Sequence, residues 1–202
     1  MRLYTFALFA HILGVLSLFI GMGLQWTITL RLRQARSIVQ VREWSSLIGG
    51  VAKLGPVSGA LILVMGIYMT LTSWGMGTPW IVVSLAAMLF MLALGMGVIT
   101  RRLNAIQRAA AIVETPTGAI PPELHQQIHN PLLWISTQLA SGTALGVVFL
   151  MTTKPGLGGS LLVMGVALIL GGITGGLSAQ PSRTPRAAAI AIEEARPGSM
   201  RS

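Results

Sequence analysis

The chain has 202 residues, of which 53% are hydrophobic and only 9% are charged. Soluble domains carry about 25% charged residues, so this composition predicts a membrane protein. Cys and Asp are absent and the five acidic residues are all Glu outside the apolar stretches, which excludes disulfides, thiolate metal sites and a carboxylate relay inside the membrane.

The first apolar stretch covers residues 3–30 and ends at Arg31. A helix needs about 20 apolar residues to cross the hydrocarbon core, so this stretch predicts a transmembrane helix. It is longer than the apolar region of a signal peptide and lacks a small-residue cleavage site, so we expect it to be retained. His11 lies within it, and the predicted spans contain no other His and no Asp, Glu, Lys or Arg.

Two polar connections separate the later spans. Residues 31–53 carry apolar residues at three- and four-residue steps between basic ones, which is typical of an interfacial amphipathic helix, of a cytosolic extension of the first span or of a solvated helical connector. Residues 103–130 contain Pro and Gly breaks, and they predict two short helices. The other four spans are predicted at residues 54–73, 80–100, 131–153 and 157–177.

The predicted fold is all-α, a polytopic membrane bundle of five transmembrane helices in residues 1–178. Trp74 and Trp80 bound a short uncharged turn between the second and third spans. Indole rings favour the interface, so this turn marks one membrane surface. Residues 179–202 are rich in Pro, Arg, Ser and Ala, which predicts a disordered cytoplasmic tail.

The basic residues predict the orientation of the bundle. The formal net charge is +9, but its carriers lie between the apolar spans, which indicates a membrane surface rather than nucleic acid. Twelve of the 14 Lys and Arg fall on one side of a five-span topology, and only Arg2 and Lys154 fall on the other. The positive-inside rule therefore predicts the N-terminus outside and the C-terminus in the cytoplasm, in a bacterial inner membrane.

Small and polar residues in the spans predict how the helices associate. Glycines four residues apart let helix backbones approach closely in a membrane. They predict packing within the bundle, with a homodimer through glycine-rich helix faces as the alternative. Gln138 in the fourth span is expected to hydrogen-bond across helices. The glycine pairs are Gly55/Gly59, Gly142/Gly146, Gly171/Gly175 and Gly172/Gly176.

His11 has two interpretations. A neutral imidazole in a low-dielectric site is a common ligand of haem iron, copper or zinc. Alternatively, the ring hydrogen-bonds a hydroxyl or a carbonyl of a neighbouring helix and has a structural role. Gly14, one turn further along, leaves space beside the ring for a flat ligand or for another helix.

Methionines provide a second set of candidate ligands, for copper. Met65 and Met69 share one helical face in the outer half of the second span, the same half as His11. Met151 and Met164 lie in the outer halves of the last two spans. Thioethers with an imidazole suit Cu(I), although methionine is also a common adaptable filler of apolar cores.

His125 and His129 form the third candidate. Their i, i+4 spacing puts both rings on one face of a short helix, where they could bind a divalent metal. No third ligand is evident in the sequence, and the alternative is a solvated cytoplasmic helix. No arrangement of serine, histidine and acid predicts nucleophilic catalysis, so we assign no catalytic residue and lean towards a protein without enzymatic activity.

Four short motifs lie in the first three-quarters of the chain: His11-Ile-Leu-Gly14, Gly66-Ile-Tyr68, Pro79-Trp-Ile81 and Met151-Thr-Thr-Lys154-Pro155-Gly156. They resemble a bacterial family of predicted integral membrane proteins of unknown function. That family is similar in turn to the membrane domain of copper-resistance protein D and to HemJ-type protoporphyrinogen oxidases. The resemblance implies a haem-holding role for His11. Basic residues inside the helices of the HemJ-type proteins have no counterpart here, so the resemblance does not extend to their oxidase activity.

Three functions are open from the sequence. The first is a membrane protein that binds haem b through His11 in a redox-linked role. The second is a copper-handling membrane protein that uses His11 and the outer-half methionines. The third is a purely structural or interaction protein of the bilayer, in which His11 serves packing.

Overall fold

The computed structural model describes residues 2–113 and 118–179. Within these ranges the chain is all-helical, and five of its helical segments are long and apolar enough to cross a membrane. The predicted all-α bundle of five spans is thereby confirmed. Apart from Ala179, which ends the last helix, the predicted tail lies outside the described residues. The helices are α1 (Arg2–Gln34), α2 (Ile38–Ser46), α3 (Ile48–Met69), α4 (Pro79–Leu94), α5 (Thr100–Ile112), α6 (Pro122–Ile128), α7 (Pro131–Thr153) and α8 (Leu157–Ala179).

Two of the spans continue beyond the predicted boundaries through π-helical turns. Such a turn over Thr70–Trp74 extends α3, and another over Gly95–Ile99 joins α4 to α5. The second span therefore belongs to a helix that begins at Ile48, six residues before the predicted boundary at residue 54. π-Helical turns are rare and often mark functional sites, and the first of these two leads into the cavity described below.

The bundle is built around α7. Half of the most apolar part of α7 is buried, against 17–28% for the other four spans. α8 packs along α7, α3 packs along α1, and α4 joins the two pairs by packing against α7. The outer helices leave many leucines, isoleucines and phenylalanines exposed, as expected for helices that are long and apolar enough to cross a membrane.

Glycines let α7 and α8 touch along their length. A Cβ atom at Gly142 would lie 2.6 Å from the carbonyl oxygen of Ala167, and one at Gly171 would lie 2.9 Å from the carbonyl oxygen of Gln138. These glycines therefore serve packing within the bundle. A Cβ at Gly176 would meet nothing within 4 Å, and a homodimer through this outward face stays a prediction.

A small helical cap covers the end of the bundle at which α1 finishes. α2 packs against α5, and α5 against α6. Ile38 and Val41 of α2 are fully buried there, and the Arg42 guanidinium donates to the carbonyls of Ala110 and Val113 at the end of α5. The apolar face of α2 is thus covered by protein, and the first span continues as a helix to Gln34. The periodicity of residues 31–53 predicts a covered helical face but not what covers it.

A candidate ligand cavity around His11

His11 is held where α1 and α3 come closest. A Cβ at Gly14 would lie 2.9 Å from the Cγ1 of Ile62 and 3.3 Å from its backbone nitrogen, so only glycine permits this approach. The contact brings the Ile62 carbonyl oxygen to 3.0 Å from the Nδ1 of His11. Gly66, one turn further along α3, also lies against the ring, where a Cβ would stand 3.3 Å from the imidazole Cε1. The neighbour of Gly14 is therefore a helix, one of the two alternatives that the sequence left open.

The hydrogen bond assigns different roles to the two ring nitrogens of His11. A carbonyl oxygen can only accept, so Nδ1 carries the hydrogen and donates it to Ile62. In a neutral ring, Nε2 then keeps a free lone pair. Metal-ligating histidines usually have this arrangement, with a carbonyl fixing the tautomer and the ring orientation. His11 is only 7% exposed, so its position is set by the protein around it.

A cavity of about 260 Å³ adjoins the His11 ring, between α1, α3, α4 and α7. Side chains such as Leu8, Ile81 and Val147 make most of its wall apolar. Ser84 of α4 also lines it, is 5% exposed, and has a hydroxyl without a hydrogen-bond partner. Buried polar atoms are nearly always hydrogen-bonded. The Ser84 hydroxyl is therefore available to a ligand in this cavity.

Aromatic and basic side chains form the mouth of this cavity. Trp74 at the end of the π-helical turn is 45% exposed and meets Trp80 edge-on, with ring centroids 5.6 Å apart. The ammonium of Lys154 lies 4.4 Å from the centroid of the Trp74 ring. All three side chains line the cavity. The mouth is thus aromatic and carries one positive charge.

The structure brings some of the predicted methionines to His11 and leaves others apart. Met69 and Met151 line the His11 cavity, together with Met76 and Met88. Met65 is not part of the wall. Met164 lies instead between α7 and α8, where its sulfur is 3.4 Å from the Cβ position of Gly146.

His125 and His129 lie in and just after α6, in the cap at the opposite end of the bundle from the cavity. Their rings stack with centroids 4.0 Å apart, and Nδ1 of His129 lies 3.0 Å from the carbonyl oxygen of His125. Within the described residues no three His, Asp or Glu side chains are grouped so as to hold a metal ion. The pair stays a two-residue candidate without a third ligand of these types.

An aromatic cluster that the sequence did not predict lies near the cap. Trp26 and Trp134 stack with centroids 5.6 Å apart, and the Arg33 guanidinium lies 5.2 Å from the Trp134 centroid. The Trp26 indole N–H donates to the side-chain oxygen of Gln138 at 2.8 Å. The expected cross-helix hydrogen bond of Gln138 is therefore present, and it joins α1 to α7.

A second, smaller cavity of about 80 Å³ lies further along the same helices. Gln25, Thr137 and Ser141 are among its lining residues. The two hydroxyls donate to carbonyls one turn earlier in α7. Small-molecule sites occupy about 300–1,000 Å³, so we assign no ligand to this space.

Comparison of the chain with protein-family models, with curated proteins and with solved structures finds no match.

Proposed function

We propose that this chain is a multi-pass protein of the bacterial inner membrane that binds haem b through His11 in a redox-linked role. The observation that carries the proposal is the buried imidazole, whose Nδ1 is engaged by the Ile62 carbonyl while the ring borders a cavity. A histidine that served packing alone would need no cavity. The Nε2 nitrogen of His11 would hold the haem iron.

The lining of the cavity supports an organic ligand over a bare ion. Its volume of about 260 Å³ lies just below the lower limit of about 300 Å³ for small-molecule sites. The wall is mainly apolar, as the body of a porphyrin requires. Gly66 has no side chain that would cover the edge of the imidazole. These residues fit a haem-holding role for His11.

The roles of the residues follow from these contacts. His11 would hold the iron through Nε2, and the Ile62 carbonyl would keep the ring in one orientation and one tautomer. Bound haem supplies one-electron chemistry, and axial ligation by the protein sets its potential. The apolar wall limits the access of water to the site, which also affects the potential.

A copper-handling function is the second candidate, and the methionines of the cavity favour it. Met69, Met88 and Met151 line the same space as His11. Soft thioether sulfurs combined with an imidazole suit Cu(I). A copper site would use the same Nε2 lone pair, so the two candidates differ in the role of the methionines.

The proposed orientation has the N-terminus outside and the C-terminus in the cytoplasm. The twelve-to-two distribution of basic residues supports it. In this orientation the helical cap faces the cytoplasm, and the mouth of the His11 cavity faces outwards.

Absorbance and metal analysis of purified protein tests the proposed function. We expect wild-type protein from haem-replete cells to show a Soret band and His11→Ala to lose it. The double variant His125→Ala/His129→Ala is the control and should keep it. Copper would instead bind to wild-type protein and be lost in Met69→Leu, with Met65→Leu, outside the cavity, as its matched control.

The outcomes separate the three functions. A Soret band lost only in His11→Ala supports haem, and copper lost in both His11→Ala and Met69→Leu supports the second candidate. Wild-type protein that carries neither ligand after growth with both would refute ligation by His11. His11 would then have a structural role in packing only.

A further inference from the structure

Lys154 occupies an unusual backbone position at the mouth of the His11 cavity. It ends α7 with φ 48° and ψ 51°, the left-handed conformation, and among the described residues no other non-glycine residue has a positive φ. Its N–H donates to the Leu150 carbonyl at 2.9 Å, which closes the last turn of the helix. Left-handed backbone is uncommon for a residue with a side chain. The ammonium of this same residue lies 4.4 Å from the Trp74 ring centroid.

No protein carboxylate neutralises this ammonium within the described residues. The two acids there, Glu43 and Glu123, belong to α2 and α6 in the cap at the far end of the bundle. The Trp74 ring attracts the cation through its electron-rich face but carries no net charge. Lys154 therefore offers an unpaired positive charge at the mouth of an apolar cavity.

A second observation inside the cavity points independently to a ligand. The hydroxyl of Ser84 is buried in the wall and has no hydrogen-bond partner. The cavity thus combines a polar atom at depth, an apolar wall, and a cation over the Trp74 ring at its mouth. These three features, from the depth of the cavity to its mouth, match an amphipathic molecule that has an acidic group at its water-facing edge.

We propose that Lys154 is the anion anchor of this cavity and pairs with a carboxylate at the water-facing edge of an amphipathic ligand. The inference rests on the proposed function where the ligand is haem, because the acidic groups of haem are two carboxylates on an otherwise apolar ring. More widely, the inferred ligand class is an amphipathic carboxylic acid. The ammonium would pair with the acid while the Trp74 ring covers its apolar stem.

The test compares an acid with its uncharged ester on the full-length protein in detergent. Hemin and hemin dimethyl ester are titrated into wild-type protein, Lys154→Asn and Lys154→Arg. Asn tolerates the left-handed backbone without the charge, and Arg keeps the charge. We expect wild-type protein and Lys154→Arg to prefer the acid roughly two- to fivefold, as for a partly exposed ion pair. Lys154→Asn should bind acid and ester equally.

Arg2→Gln is the matched control, because Arg2 is the other basic residue at this end of the bundle and does not line the cavity. It should keep the preference for the acid. Equal binding of acid and ester by wild-type protein, or an unchanged preference in Lys154→Asn, would overturn the anchor role while leaving haem binding intact. Loss of the preference in Arg2→Gln as well would also overturn it, because a general surface potential would then be responsible.

A second pair of probes keeps the inference testable if hemin itself does not bind. Oleate and methyl oleate are added to the same variants, and the shift in melting temperature is measured. A larger shift with oleate that disappears in Lys154→Asn supports the anchor even if the haem proposal fails. Equal shifts overturn it. A Lys154-dependent shift seen with phosphatidylglycerol against phosphatidylcholine, but not with oleate, would assign the charge to lipid headgroups and overturn a ligand in the cavity.

Discussion

The close contact of Gly14 with α3 makes Gly14→Ala the most direct test of how the His11 site is built. The added Cβ would lie 2.9 Å from the Cγ1 of Ile62, 3.3 Å from its backbone nitrogen and 3.4 Å from the Ser58 carbonyl oxygen. The Ile62 nitrogen belongs to the backbone, so rotation of the Ile62 side chain cannot relieve that contact, which requires a shift of a few tenths of an ångström. α3 must move away from α1, and the hydrogen bond between His11 and Ile62 must lengthen.

The size of the effect follows from two opposing contributions. Inserting a methyl group into a packed interface costs about 1–3 kcal/mol. Replacing glycine by alanine inside a helix returns about 1 kcal/mol through higher helix propensity. Gly23→Ala isolates the second contribution, because Gly23 lies in the same helix and its added Cβ would meet nothing within 4 Å. The two variants should therefore differ by about 1–3 kcal/mol, with Gly14→Ala the less stable.

Thermal unfolding in detergent measures this difference. A change of 1 kcal/mol shifts the melting temperature of a chain of this size by about 2–4 °C, so we expect Gly14→Ala to melt roughly 2–12 °C below Gly23→Ala. Ligand binding to His11 should weaken in Gly14→Ala and stay unchanged in Gly23→Ala. Equal melting temperatures, with equal ligand binding, would refute the close approach of α1 and α3 at Gly14.

Three further predictions address orientation, the cap and the imidazole. A reporter fused after Ser202 should be active in the cytoplasm and one inserted between residues 75 and 78 should report outside; a cytoplasmic signal from the turn would reverse the proposed orientation. Arg42→Gln should lower the free energy of unfolding by about 1–3 kcal/mol, because two carbonyls lose a charged donor. The exposed Arg36→Gln is its control in the same thermal assay, and equal stability would contradict the packed cap. His11→Gln should be more stable than His11→Ala by about 1 kcal/mol, because its amide N–H could still reach the Ile62 carbonyl, yet it should bind no haem. Retained haem would place the ligand elsewhere.

The spans and His11 could be read from the sequence because both depend on local patterns. An apolar stretch of sufficient length predicts a membrane helix whatever its neighbours are, and a single histidine within five such stretches is visible at once. The cap illustrates the limit. The spacing of Ile38 and Val41 predicts that one face of their helix is covered. The same spacing would result whether lipid, a helix on the solvent side or α5 covered that face.

The cavity could not be predicted, because its parts come from helices distant in the chain. Ser84 and Met88 are ordinary residues of a membrane helix until α1, α3 and α7 place them beside His11. The sequence shows Lys154 as one of two basic residues on the outer side and as part of a short motif. Its contact with Trp74 depends on how α7 ends relative to α3, which no local pattern encodes. Met65 and Met69 show the opposite case. The sequence places both on one helical face, but in the structure Met69 lines the cavity and Met65 does not.

The two nitrogens of His11 reconcile the structural and the ligand interpretations that the sequence set against each other. Nδ1 has a structural role, because it donates a hydrogen bond from α1 to the Ile62 carbonyl of α3. Such a bond contributes about 0.6–1.7 kcal/mol in membranes, and serine, threonine or glutamine could supply a comparable donor. Only an imidazole combines that donor with a second, unsubstituted nitrogen on the same rigid ring. Packing alone therefore does not require histidine at this position, whereas a ligand that takes up the lone pair of Nε2 does.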